Sequence, residues 1–165
     1  MRVHLELATA EDVAELVALR MAVNEHLGQQ YGEGYWLSRP TEKGALFGMR
    51  NAKVYVARHR KKLVATLTLS TRKPWAIDAK YFSKGQLPLY LTHMAVEPGG
   101  QRRGLGRSCI EEARRIVSQW EGDALRLDAY DTAAGAGEFY RKCGFREVGR
   151  ATYRGAPLIY FEMLM

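Results

Sequence analysis

Residues 101–108 read Gln-Arg-Arg-Gly-Leu-Gly-Arg-Ser. A guanidinium presents a planar fork of N–H donors that matches the oxygens of a phosphate. Glycine carries no Cβ, so at Gly104 and Gly106 an anion can approach the main chain closely. Gln101, Arg102, Arg103 and Arg107 surround these glycines, Leu105 lies between them, and Ser108 adds a hydroxyl donor. The chemistry suited to this set is the holding of a diphosphate. It is strongest where a helix begins, because the first-turn N–H groups have no intrahelical acceptor and the helix dipole is positive there.

The flanking residues supply that helix start. PLYLTHMAV (88–96) is an apolar strand, stopped by Glu97-Pro98-Gly99-Gly100, because Pro lacks a ladder donor and Gly is costly in a strand. After Leu105, small or apolar residues recur at 109, 113, 116, 117 and 120, the spacing of one helix face. Glycine-rich loops of other kinds are disfavoured. There is no G-x-x-x-x-G-K-[ST], and no G-x-G-x-x-G near the N-terminus followed by an acid about 20 residues on.

The remaining elements follow from periodicity and breakers. Residues 2–8 alternate as a strand. Thr9 and Asp12 resemble a capping box before the helical positions 13, 16, 17 and 19. Residues 24–41, rich in glycine and aromatics, read as a loop, with a short helix near 42–50. KVYVARH (53–59) and KLVATLTLS (62–70) form a hairpin around a basic turn. Residues 71–86 are a polar connection. ALRLDAY (124–130) is a strand, and AGEFYRKC (136–143) is a short helix ended by Gly144. Strands near 145–150 and 157–164 close the chain. This predicts one α/β (α+β) domain over 1–165.

The chain has 165 residues, 47% hydrophobic and 26% charged, with net charge +7. That length suits a single core. No apolar run reaches the ~20 residues of a membrane helix, and the acidic N-terminal stretch does not read as a signal peptide, so the cytoplasm is the expected compartment. Cys109 and Cys143 have neither CxxC spacing nor clustered histidines, so packed thiols are expected and no metal site. The positive charge is compatible with a polyanionic small molecule. A nucleic-acid module is disfavoured by the lack of a helix-turn-helix or RNA-binding signature.

The segment LTHMAVEPGGQRRGLGRSCIEEA, the segment EFYRKCGF (138–145) and the element order together resemble the GCN5-related N-acetyltransferase (GNAT) family. The likeness is specific across about 90–145. It implies a single mixed, largely antiparallel sheet with helices on both faces and splayed central strands at 88–96 and 124–130. It implies acetyl-CoA as co-substrate, with no metal, and an acetyl group passed to a primary amine by direct attack. By resemblance, the backbone at Met94, Ala95 and Val96 meets the pantetheine arm, and residues 101–108 hold the pyrophosphate. Homodimers are common in the family, and 157–165 is the segment here that could pair. The alternative is a non-catalytic acyl-CoA-binding or sensor domain of the same fold.

Tyr140 matches the family tyrosine and is the expected acid for the leaving thiolate, as a phenol with ordinary pKa near ~10. His93, just before the loop, is a candidate base, its ordinary pKa near ~6.5 suiting proton abstraction at neutral pH. Strand alternation leaves its face open, since a bulge would change the parity. Glu25, Glu33, Tyr90 and a water relay also remain candidates. Where many members carry Asn seven residues before the tyrosine, this chain has Ala133, which leaves Asp131 or Thr132 to make the contact instead. Tyr31, Tyr35, Trp36, Tyr153 and Tyr160 are candidate walls for the acceptor, or packing residues.

Overall fold

The computed structural model describes residues 1–34 and 39–165. Tyr35 and Trp36 lie outside the described residues. The strands are β1 (Leu5–Leu7), β2 (Lys53–His59), β3 (Lys62–Ser70), β4 (Pro88–Val96), β5 (Ala124–Tyr130), β6 (Arg146–Tyr153) and β7 (Ala156–Leu164). The α-helices are α1 (Val13–Tyr31), α2 (Glu42–Asn51), α3 (Leu105–Gln119) and α4 (Gly137–Lys142). The strands form one mixed sheet in the order β1-β2-β3-β4-β5-β7-β6. Pairing is antiparallel at β1–β2, β2–β3, β5–β7 and β6–β7, and parallel at β4–β5. The chain divides into two compact units, residues 1–69 with 93–113 and residues 70–92 with 114–165.

In the first unit, α1 is longer than the sequence predicts. Residues 24–31 continue the helix, and Gly28 sits inside it. A lone glycine costs a helix about 1 kcal/mol, which a run of otherwise permissive residues absorbs. The stop comes at Gly32, whose φ is +73° and whose N–H donates to the Gly28 carbonyl at 2.8 Å. At the other end the Asp12 carboxylate accepts the Thr9 N–H at 2.8 Å. Helix α2 is capped by Thr41, whose Oγ1 accepts the Gly44 N–H at 3.0 Å. Leu16 and Leu19 of α1 pack with Val54, Val56, Leu63 and Ala95, with Val23 and Met49 at the margin. The β2–β3 turn is tight because Arg60 and Lys61 both adopt positive φ, as a two-residue hairpin requires.

The second unit is built on β5, β7 and β6. Strand β5 pairs along its whole length with β7, from Ala124↔Leu164 to Tyr130↔Leu158. Its parallel ladder with β4 covers Pro88↔Ala124 to Tyr90↔Arg126. Residues 71–87 close over an aromatic cluster of Phe82, Tyr90 and Tyr160 with Ile77 and Leu158. A buried ion pair ties this segment down. Arg126 Nε donates to Glu162 Oε2 at 3.0 Å, its NH1 donates to the Tyr90 hydroxyl at 3.1 Å, and its NH2 donates to the Ser83 carbonyl. Glu162 Oε1 in turn accepts the Ser83 N–H at 3.2 Å. Gly149 on β6 lies under the Tyr81 ring, where a Cβ would come within 2.3 Å of it. Among the described residues, no helix is long and apolar enough to cross a membrane.

Candidate functional site

In the first unit, β4 leads through Glu97 and a short 3-10 turn, Pro98–Gly100, into a turn at 101–104 and then α3. Gly100 is buried against Leu105, its missing Cβ leaving room for a leucine methyl that would otherwise stand 2.8 Å away. Arg102 has φ +64° and Gly104 φ +79°, so the main chain reverses twice in the left-handed region before the helix begins. Ser108 N–H donates to the Gly104 carbonyl at 3.0 Å. Helix geometry therefore leaves the N–H groups of Leu105, Gly106 and Arg107 without an intrahelical acceptor. Arg102 and Arg103 are exposed and, among the described residues, are in no ion pair, while Arg107 approaches Glu111 at 3.7 Å. Exposed cations, a left-handed glycine and an open helix N-terminus form a donor set that fits a diphosphate.

Two of the expected contacts are engaged otherwise. Ser108 is buried, and its Oγ accepts the Val3 N–H at 2.9 Å. Gln101 Nε2 donates to the Val96 carbonyl at 3.2 Å, an acceptor that the resemblance gives to the pantetheine arm.

His93 adopts φ +52° in the middle of β4. A side-chain-bearing residue in this region is strained, and here it breaks the alternation. Leu89, Tyr90 and Leu91 are buried in succession, His93 is exposed, and Ala95 is buried again. Crowding by the surrounding chain holds the imidazole below its ordinary pKa, and the nearby Arg20 charge adds to this. Glu25 and Glu33 are exposed. Cys109 is buried, and its thiol is pushed up to about 12, first by burial and then by Glu112, the opposite of an activated nucleophile.

In the second unit, Tyr140 is 7% exposed. Its ring meets Phe139 and Phe145 edge-on at 5.2 and 5.5 Å and Phe161 at 6.0 Å. Burial raises the phenol well above its ordinary range, and the negative charges of Asp128 and Cys143 raise it further. Asp128 is a group the sequence reading passed over. It is half-buried on β5, paired in register with Tyr160, and burial raises its carboxyl. Its signal in the sequence is an acid within the apolar alternation ALRLDAY. Asp131 accepts from Arg150 NH1 at 3.0 Å. Tyr90 is buried beneath the Arg126 guanidinium.

Of the aromatic walls, Tyr31 is exposed at the end of α1, and Tyr153 carries Arg154 over its ring at 5.3 Å. Tyr160 follows the packing alternative. It is 2% exposed, its hydroxyl donates to the Ala76 carbonyl at 2.5 Å and accepts the Asp78 N–H at 3.3 Å. Among the described residues no group of three or more metal-ligating side chains occurs.

Comparison with known proteins places this geometry. A GNAT-family acetyltransferase of Streptococcus agalactiae superposes with TM-score 0.78 at 13% identity, covering 99% of this chain and 95% of that one. A GCN5-related N-acetyltransferase of Rhodopseudomonas palustris gives 0.75 at 20% identity, covering 100% and 97%. A PaiA N-acetyltransferase of Thermoplasma acidophilum, in complex with coenzyme A, gives 0.71 at 15%, covering 97% and 98%. No curated protein matches the sequence. At such identities these likenesses speak for the fold alone. The sequence profile described as the acetyltransferase (GNAT) domain matches residues 50–147, more than half of the chain and all of the strand-loop-helix described above. On that match the chain belongs to the GNAT acetyltransferase family.

Proposed function

We propose that the protein is an N-acetyltransferase that moves an acetyl group from acetyl-CoA to a primary amine by direct attack. The observation that carries this reading is the loop at 101–107. There two left-handed residues precede an open helix N-terminus, beside exposed arginines at 102 and 103 that, among the described residues, are in no ion pair. A coenzyme A complex of a protein with this fold supports the same cofactor. Acetyl-CoA supplies the carbonyl that is attacked and the thiolate that leaves.

The chain's own residues hold and move the protons. His93, kept neutral by crowding and by Arg20, accepts a proton from the acceptor ammonium, directly or through water. Tyr140, kept protonated by burial and by Asp128, donates to the leaving sulfur.

Thermal unfolding with and without acetyl-CoA tests the reading, with ATP as the polyanion control. Ligand at about 100 times its Kd stabilises by about 2.7 kcal/mol, roughly 5–10 °C in a domain this size. A rise with acetyl-CoA and none with ATP supports it, and no rise at saturation overturns it. A rise without consumption of acetyl-CoA by any amine would favour the non-catalytic binding domain.

Tyr140→Phe is expected to lower turnover about a hundredfold or more while acetyl-CoA affinity stays within a few-fold. Unchanged turnover would remove Tyr140 from the reaction. His93 sets the acid limb of the kcat/KM profile. Its folded pKa lies below the ordinary 6.5, so the neutral base persists as pH falls through 6.5 and the limb lies lower. The unfolded chain takes up that proton first, so folding stability also declines below 6.5. In Arg20→Met the limb should move up toward 6.5, and in His93→Gln it should vanish. A limb that ignores both changes belongs to another group.

A further inference from the structure

Arg20 lies on α1, one turn after Leu16 and beside Leu19, both of which pack with Ala95 of β4. Its Nε is buried with no hydrogen-bond partner. Among the described residues the guanidinium enters no ion pair. Several carboxylates of the same unit are engaged with other groups. Asp12 and Glu15 hold Arg58, Glu97 holds Lys62, and Glu112 holds the His4 ring and the Leu5 N–H. Burying a cation on an apolar helix face without a counter-charge is costly. The field of this cation reaches His93, the strained residue of β4.

We propose that Arg20 is a specificity-determining residue that recognises an oxyanion of the acceptor, so that the substrate is a small amine also carrying a carboxylate or a phosphate. This deepens the acetyltransferase reading and rests on it. The acceptor's amine goes to His93 and its anion to Arg20. The unfavourable burial of the free guanidinium is then relieved only when that anion binds. A planar fork favours a carboxylate or phosphate over a single-point acceptor.

The test uses matched acceptors with acetyl-CoA: amino acids against their α-amides, and phosphoethanolamine against ethanolamine. A hydrogen-bonded charge contributes about 1.5–3 kcal/mol, so the anionic partner should lead by at least about tenfold in kcat/KM. Whichever pair shows the larger ratio identifies carboxylate or phosphate. Measured at pH 8, above the acid limb that the same change moves, Arg20→Met should erase the preference between anionic and neutral acceptors, and Arg20→Lys should retain part of it. Neutral acceptors that match or exceed the anionic ones, or a preference that survives Arg20→Met, would overturn the proposal.

Two readouts do not depend on turnover. Arg20→Met without ligand should raise the unfolding midpoint by about 2–4 °C, whereas a fall would mean that the guanidinium has a structural role. N-acetylglycine and phosphoethanolamine should each be compared with N-acetylglycinamide and ethanolamine as stabilisers of the wild type and of Arg20→Met. If acetyl-CoA neither stabilises nor is consumed, the acetyltransferase reading falls, and this comparison decides Arg20 alone. Selective stabilisation by an anionic compound, lost in Arg20→Met, upholds the anion site. No selective stabilisation removes it.

Discussion

Glu162→Leu should destabilise the fold by about 3–5 kcal/mol, the cost of leaving a buried partner charge uncompensated, and so lower the unfolding midpoint by roughly 10 °C or more. Arg126 and Glu162 are 5% and 2% exposed, so little solvent screens them. Removing the carboxylate strands a guanidinium stacked 5.0 Å over the Phe82 ring and releases the Ser83 N–H as well. The pair itself need not be net stabilising, since its desolvation offsets most of its attraction. Arg126→Met combined with Glu162→Leu should therefore recover most of the loss. Urea unfolding of the two single variants and the double variant checks this. A single-variant loss below about 1 kcal/mol would mean that water reaches the guanidinium. What the pair does is hold residues 82 and 83 against β5 and β7, which keeps the middle of the 71–87 segment seated.

Gly106→Val should leave the fold intact and abolish the stabilisation by acetyl-CoA, a loss of at least about a hundredfold in affinity. Position 106 lies in the first turn of α3 and is half-exposed, and its φ is not in the left-handed region. A side chain there costs no backbone strain. Gly106→Ala should even raise the midpoint without ligand, because alanine is the better helix former by up to about 1 kcal/mol. Gly104→Val is the less clean experiment. At φ +79° a β-branched residue is strained, by about 1–3 kcal/mol, so binding and folding would fall together. If Gly106→Val binds acetyl-CoA as the wild type does, the anion cradle is not at this turn.

Strands β4 and β5 could be read from the chain alone. The bounds Pro88–Val96 and Ala124–Tyr130 follow from breakers and alternation, because Pro and Gly act locally. Gly28 misled for the same reason, as a local breaker that its helix overrides. What stayed hidden depends on distant partners or on dihedral angles. Nothing in the residue type of His93 announces φ +52°. Arg126 and Glu162 are thirty-six residues apart, and each alone reads as the polar exception in an apolar strand. Arg20 looks like an ordinary surface arginine, and only the folded chain shows its Nε buried without a hydrogen-bond partner. Ser108 was legible as a hydroxyl donor beside a glycine-rich turn, but its acceptor role toward Val3 joins residues 105 positions apart.

The contact between Gly149 and Tyr81 has a meaning for how this sequence can drift. With the aromatic ring where it is, a mutation at codon 149 that adds a carbon requires the Tyr81 side chain to shift, since that carbon would sit 2.3 Å from the ring. The restriction is conditional. In a descendant that first replaces Tyr81 with a small residue, that clash at position 149 is gone, and once 149 has gained a side chain the ring returns only in a shifted position. The two positions form an evolutionary ratchet, in which the order of substitutions decides which are permitted.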